Sequence, residues 1–133
     1  MRPPVRPGPA SALLVRLFTI QGRRPNLLIR CPGAESRRLR RLLMRSCEPP
    51  VHVCRLPGRL ALPSHTVGTL LLENVAALAL AQQIRLHDWM SHGSQTQVIS
   101  VVFAPLYPMV ERGEFLEGLF YRLNVVTLEA ELN

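Results

Sequence analysis

Lysine is absent from this chain, and aromatic residues make up only 5% of its 133 positions. All 16 basic residues are therefore arginine, and against 9 acidic ones they leave a formal charge of +7. The apolar share is 47%, carried mainly by Leu, Val and Ala. With so few aromatics, that composition argues against an aromatic-rich all-β module and for helices packed on a sheet. No apolar run approaches the ~20 residues of a membrane span. The three cysteines, Cys31, Cys47 and Cys54, form no C-x-x-C pair, and an odd number at such spacing argues against a secreted disulfide framework. Arg16 interrupts the apolar stretch that follows Arg2 and Arg6, and no small-residue cleavage site comes after it, so no leader is expected. A cytoplasmic protein with no membrane association is the expectation.

What is present suits a single compact domain. Residues 1–25 read as a basic, proline-rich tail with a short apolar element over Ser11–Ile20, and residues 26–133 as the folded unit. Asn26–Arg30 is a short apolar run closed by Cys31-Pro32-Gly33, the pattern of a buried strand feeding a turn. From Ala34 to Cys47, Leu39, Leu42, Leu43 and Cys47 recur at helical spacing, with Arg37, Arg38, Arg40, Arg41 and Arg45 largely on the other side. Pro49-Pro50 ends that helix, Val51–Cys54 alternates like a strand, and Arg55–Val67 has the Pro and Gly content of a connection. Gly68–Val75 reads as a strand, Leu80–Met90 as a helix, Gln97–Phe103 as a β-branched central strand. Helical segments follow near Met109–Gly113 and Phe115–Leu123, with a last strand over Asn124–Leu128. Strands alternating with helices predict an α/β fold, a mostly parallel sheet flanked by helices.

Two stretches are more specific. One is Gly68-Thr69-Leu70-Leu71-Leu72-Glu73-Asn74-Val75, with Leu78 and Gln82; the other runs from Gly113-Glu114-Phe115 through Leu119-Phe120-Tyr121-Arg122-Leu123-Asn124-Val125. They resemble the G-T-L-F-L-D-E-I and G-x-F-R-x-D-L-Y-Y-R-L-N-V signatures of the AAA+ ATPase domain of bacterial sigma-54-dependent transcription activators. The resemblance covers Gly68–Val126 well and Asn26–Cys47 more faintly. It implies a reduced P-loop NTPase core without the helical lid, and ATP and magnesium as the ligands of the corresponding site.

Residue by residue, the resemblance also implies losses. The phosphate-binding turn corresponds to Cys31–Arg38, where Gly33 is the one glycine, Pro32 lacks an N–H, Glu35 adds negative charge and Arg37 stands near the place of the family's lysine. Glu73 takes the position of the magnesium-binding Asp, a weak metal candidate one methylene longer, and Asn74 the position of the carboxylate that polarises water. An amide has no basic group to accept that proton. Phe103 stands where the family senses the terminal phosphate, Leu116 replaces the first of two subunit-bridging arginines, and Arg122 matches the second. The G-A-F-T-G-A loop is missing between the turn and Gly68, and the chain reaches Asn133 before the lid or a helix-turn-helix. If a nucleotide site is kept, it comprises Gly33, Arg37, Glu73, Asn74 and Arg122, with no catalytic residue.

Other groupings carry less. Cys47, His52, Cys54 and His65 lack zinc-knuckle spacing. Cys31 has no paired histidine, and His87 and Asp88 are helical neighbours that do not face each other. Leu86, Trp89 and Met90, and Phe115, Leu119 and Leu123, read as core stripes. Glu111, Glu114 and Glu117 read as a solvated acidic face.

These readings converge on a non-enzymatic interaction module in bacterial transcription control, needing no cofactor and docking on an AAA+ subunit, a second copy of itself or another regulator. Two other readings stay open: an ATP-binding regulator without turnover, and a basic module that meets nucleic acid through the Arg37–Arg45 face.

Overall fold

The computed structural model describes residues 24–92 and 95–130; of the tail predicted over residues 1–25, residues 1–23 lie outside them. Five parallel strands form one sheet in the order β2-β3-β4-β1-β5. In chain order the elements are β1 (Leu27–Arg30), α1 (Ser36–Ser46), β2 (Val51–Arg55), β3 (Thr69–Glu73), α2 (Leu80–Met90), β4 (Gln97–Val102), α3 (Tyr107–Glu111), α4 (Glu117–Leu123) and β5 (Val126–Glu129). The α/β expectation is met with every strand pair parallel. Among the described residues no helix is long and apolar enough to cross a membrane.

Alternation along the strands divides the core in two. Leu27 and Ile29 of β1, Leu71 of β3 and Ile99 and Val101 of β4 point to one face, where Leu39 and Leu43 of α1 cover them. Leu28, Leu70, Leu72, Val98 and Val102 point to the other, against Leu86 of α2 and Leu119, Phe120 and Leu123 of α4. The three inner strands β3, β4 and β1 are therefore largely apolar on both sides, which is why they read as runs rather than as alternating segments.

Apart from Arg55, which ends β2, the Arg55–Val67 connection contains no helix or strand, as its Pro and Gly content predicts. It still contributes to the core: Leu56 and Leu60 are buried beside Leu70 and Leu72. One side of α2 holds it in place. Gln82 donates to the Gly58 carbonyl at 2.7 Å, Arg85 to Leu60 at 3.3 Å and the Trp89 indole to Pro63 at 3.1 Å. These residues lie at i, i+3 and i+7, so one helical stripe satisfies backbone carbonyls that no secondary structure pairs.

Gly68 explains the glycine that opens the G-T-L-L-L-E-N stretch. A Cβ there would stand 2.3 Å from the Glu48 carbonyl oxygen. The Gly68 N–H instead donates to Pro50 O at 3.1 Å, and the Thr69 hydroxyl to Glu48 O at 2.9 Å. The chain after α1 thus passes directly over the start of β3, which only glycine permits.

Candidate functional site

In an open parallel sheet, ligands meet the carboxyl ends of the strands where neighbouring connections leave for opposite faces. Here β1 feeds α1 on one face, and β4 feeds α3 and α4 toward the other. β1 and β4 are adjacent, so the crevice lies between Arg30-Cys31-Pro32 and Val102-Phe103. The site residues drawn from the sequence converge on this sheet edge in part.

The turn after β1 is closed on itself. Cys31 N–H continues the ladder to Val102 O at 2.9 Å. Residues Gly33–Glu35 then form one 3-10 turn, in which Glu35 N–H donates to Pro32 O at 2.9 Å and Ser36 N–H to Gly33 O. The Ser36 hydroxyl adds a 3.0 Å bond to the same Gly33 oxygen. Two amides that an anion would need are thereby engaged within the chain. A Cβ on Gly33 would lie 3.8 Å from the Phe103 ring, so the aromatic side chain from the β4 end rests against the turn. Pro32, Phe103, Arg30 and Glu129 line a shallow cleft there, across which Arg30 and Glu129 form an exposed ion pair at 3.5 Å.

Glu73, last residue of β3, is buried, and its carboxylate serves two arginines at once. Arg40 of α1 approaches to 3.2 Å and Arg55 of β2 to 3.3 Å, both at the same oxygen, Oε2. Arg40 is mostly covered, whereas Arg55 is largely exposed. The two charge-assisted contacts compensate the cost of holding a carboxylate away from water. Asn74 follows in the left-handed region, φ 62° and ψ 54°, and its side-chain N–H donates to Leu56 O at 3.1 Å. Its carboxamide faces the connection that follows β2.

The other sequence-derived positions are less engaged. Arg37 is exposed, well outside the Glu73 ion pairs, and Arg122 is exposed on α4. The Arg122 backbone carbonyl, rather than its guanidinium, has a structural role: it accepts the Asn26 side-chain N–H at 2.8 Å, while the Asn26 side-chain Oδ1 accepts Val98 N–H at 2.9 Å. One correction concerns the basic side of α1: Arg40 does not belong to it, because its side chain turns in to Glu73 and leaves Arg37, Arg38, Arg41 and Arg45 outside.

Two participants were missed in the sequence reading. Arg55 lies opposite Glu73 in the β2–β3 register, a pairing that two strands both ending in charge would have suggested. Gln83 is buried on α2 and clamps the signature segment to it. Its N–H group donates to Leu78 O at 3.1 Å and Glu114 O at 3.2 Å, and its oxygen accepts Leu116 N–H at 2.9 Å.

The thiols are structural. Burial pushes Cys47 up to about 11 and also raises Cys31 and Cys54. Cys47 and Cys54 belong to the cores on opposite faces of the sheet, and among the described residues no group of His, Cys, Asp and Glu is arranged to hold a metal ion. Phe115, Leu119 and Leu123 are buried as their spacing predicts, and Glu111, Glu114 and Glu117 are exposed.

No family model matches the chain. It is 33% identical over 73 residues to the HTH-type transcriptional regulatory protein TyrR of Enterobacter agglomerans, taking in 46% of this chain and 14% of that protein. Against TyrR of Haemophilus influenzae it is 34% identical over 73 residues, with 46% and 23% covered. The chain thus spans less than a quarter of either relative. The fold matches crystal structures of NtrX from Brucella abortus. With the ADP complex the TM-score is 0.68 at 16% identity, covering 98% of this chain and 37% of that one; with the ATP complex it is 0.66 at 17%, covering 98% and 39%.

Proposed function

We infer from a chain that is a relative of the sigma-54 activator ATPase core, and hence a transcription-regulator-related module, that it works without hydrolysing ATP and acts by contacting a protein partner. The observation that carries this reading is the state of Glu73. A carboxylate that would hold a metal ion is here held by Arg40 and Arg55 at 3.2 and 3.3 Å. Two positive charges at one oxygen oppose a divalent cation there. Asn74 supplies an amide bonded to Leu56 rather than a base facing a water. The self-bonded 3-10 turn and the Phe103 ring beside Gly33 support the same conclusion at the phosphate end. The residues present do not fit a magnesium nucleotide.

A complete five-stranded parallel sheet beside such a site favours a scaffold. The alternative, nucleotide binding without turnover, is separated by one experiment. Calorimetric titration of the full chain with a slowly hydrolysed ATP analogue, with and without magnesium, is expected to show no saturable heat up to millimolar ligand. Saturable, magnesium-dependent binding that disappears in Glu73→Ala would overturn the reading and establish a nucleotide sensor instead.

A further inference from the structure

With Arg40 withdrawn, α1 presents an uninterrupted basic arc. At about 100° per residue, Arg37, Arg41, Arg45 and Arg38 fall within roughly 100° of helix circumference, opposite the buried Leu39 and Leu43. All four are exposed. The helix contains no acidic residue, and Met44 is the one large apolar side chain exposed on it. Glu35 reaches Arg38 at the N-terminal end, at 4.0 Å. Arg37, Arg41 and Arg45 succeed each other at i, i+4 and i+8, a straight row about 12 Å long at 1.5 Å rise per residue.

We propose that this arc is a binding surface for duplex DNA, reading its phosphate backbone without base-sequence preference. Arginine forks match phosphate oxygens bidentately and stay charged at any physiological pH. α1 packs on the sheet through Leu39 and Leu43 and turns this row to solvent; a helix about 10–12 Å across matches the B-form major groove, which is about 12 Å wide and admits an α-helix. The arc bears no aromatic side chain, whereas single-strand binders stack bases on aromatic platforms. The deep, narrow major groove of duplex RNA does not admit such a helix. The surface therefore commits to double-stranded DNA. It lies on the α1 side of the sheet, uses none of the groups that pair with Glu73 and shares only Arg37 with the nucleotide site drawn from the sequence.

The test is fluorescence anisotropy of a labelled mixed-sequence DNA duplex against the full chain, across a salt series. Binding should weaken with a log–log salt slope of about −3, since each neutralised phosphate contributes about −0.9. The triple variant Arg37→Gln, Arg41→Gln, Arg45→Gln should lose about tenfold or more in affinity and most of that slope. A charge-matched control, Arg59→Gln, Arg85→Gln, Arg112→Gln, removes the same charge elsewhere and should bind nearly as wild type. Circular dichroism of both variants separates loss of binding from loss of fold. Absence of duplex binding at low salt, equal losses in the two triple variants, or tighter binding to single-stranded DNA or duplex RNA would each overturn the proposal.

Discussion

Arg40 and Glu73 are 33 positions apart in sequence, yet their side chains meet at 3.2 Å and join α1 to the end of β3. The contact links α1, the one helix among the described residues on its face of the sheet, to the strand end where a ligand would otherwise be met. Because Arg55 contacts the same Glu73 oxygen from β2, the carboxylate also ties the β2 edge to its neighbour. One carboxylate at a strand end thus ties α1, β2 and β3 together.

Removing the carboxylate should therefore cost stability. Glu73→Gln leaves the mostly covered Arg40 without its counter-ion, and a loss of about 2–4 kcal/mol is expected. Arg40→Ala leaves Glu73 with Arg55 and should cost less, about 1–2 kcal/mol. Urea denaturation of both variants checks the order. Equal stability of Glu73→Gln and the parent chain would show that the ion pairs are not structural.

Gly68 predicts a sharper effect from a smaller change. A methyl group 2.3 Å from Glu48 O cannot be accommodated without moving the chain between α1 and β2, because the obstacle is backbone. Gly68→Ala is expected to destabilise by about 3 kcal/mol or more, or to yield no soluble protein. A melting temperature within a degree or two of the parent would contradict the packing described around Pro50 and Thr69.

Gln83 is the test of how the signature segment is held. Gln83→Leu keeps the approximate volume but strands Leu116 N–H and two backbone carbonyls in a buried setting. The expected cost is about 2–4 kcal/mol, with hydrogen-exchange protection falling first at Leu116 and along α4. Uniform loss of protection across the sheet would point to global destabilisation instead.

These residues also mark how far the sequence was legible. The element pattern was readable because β3 centres on three leucines, β4 is rich in β-branched residues and α2 sits between clear breaks; its predicted span, Leu80–Met90, matches the structure. Ends were displaced where backbone geometry intervened: the helix predicted from Ala34 begins at Ser36 because Gly33–Glu35 forms a 3-10 turn first. Glu73 and Asn74 were located as the residues at a strand end, but their partners were not. Periodicity assigns an arginine to a face of its own helix; it does not show that Arg40 is long enough to leave that face for a carboxylate on another element. Gln83 was hidden for a similar reason, since a polar residue amid a helical stripe gives no sign of which distant carbonyls it will meet.

The thiols give a prediction in pH. Cys47 is 7% exposed, and burial holds its thiol up to about 11, above the ordinary value of 9.0. The neutral form is thus favoured in the folded state. Below pH 9 the thiol is protonated whether the chain is folded or not, so its contribution to stability is fully present there. Between about 9 and 11 the unfolded chain releases the proton while the folded one keeps it, so stability falls as pH rises. Cys31 and Cys54, raised by burial as well, act in the same direction. Urea midpoints should decline from pH 8 to pH 10.5, and Cys47→Ala should make that decline shallower while costing some stability at neutral pH. The same burial should make all three thiols react slowly with a thiol-specific disulfide reagent at pH 8, and promptly once urea is added. A midpoint that holds steady to pH 10.5, or rapid native-state labelling of Cys47, would place that thiol outside the core that α1 forms with the sheet.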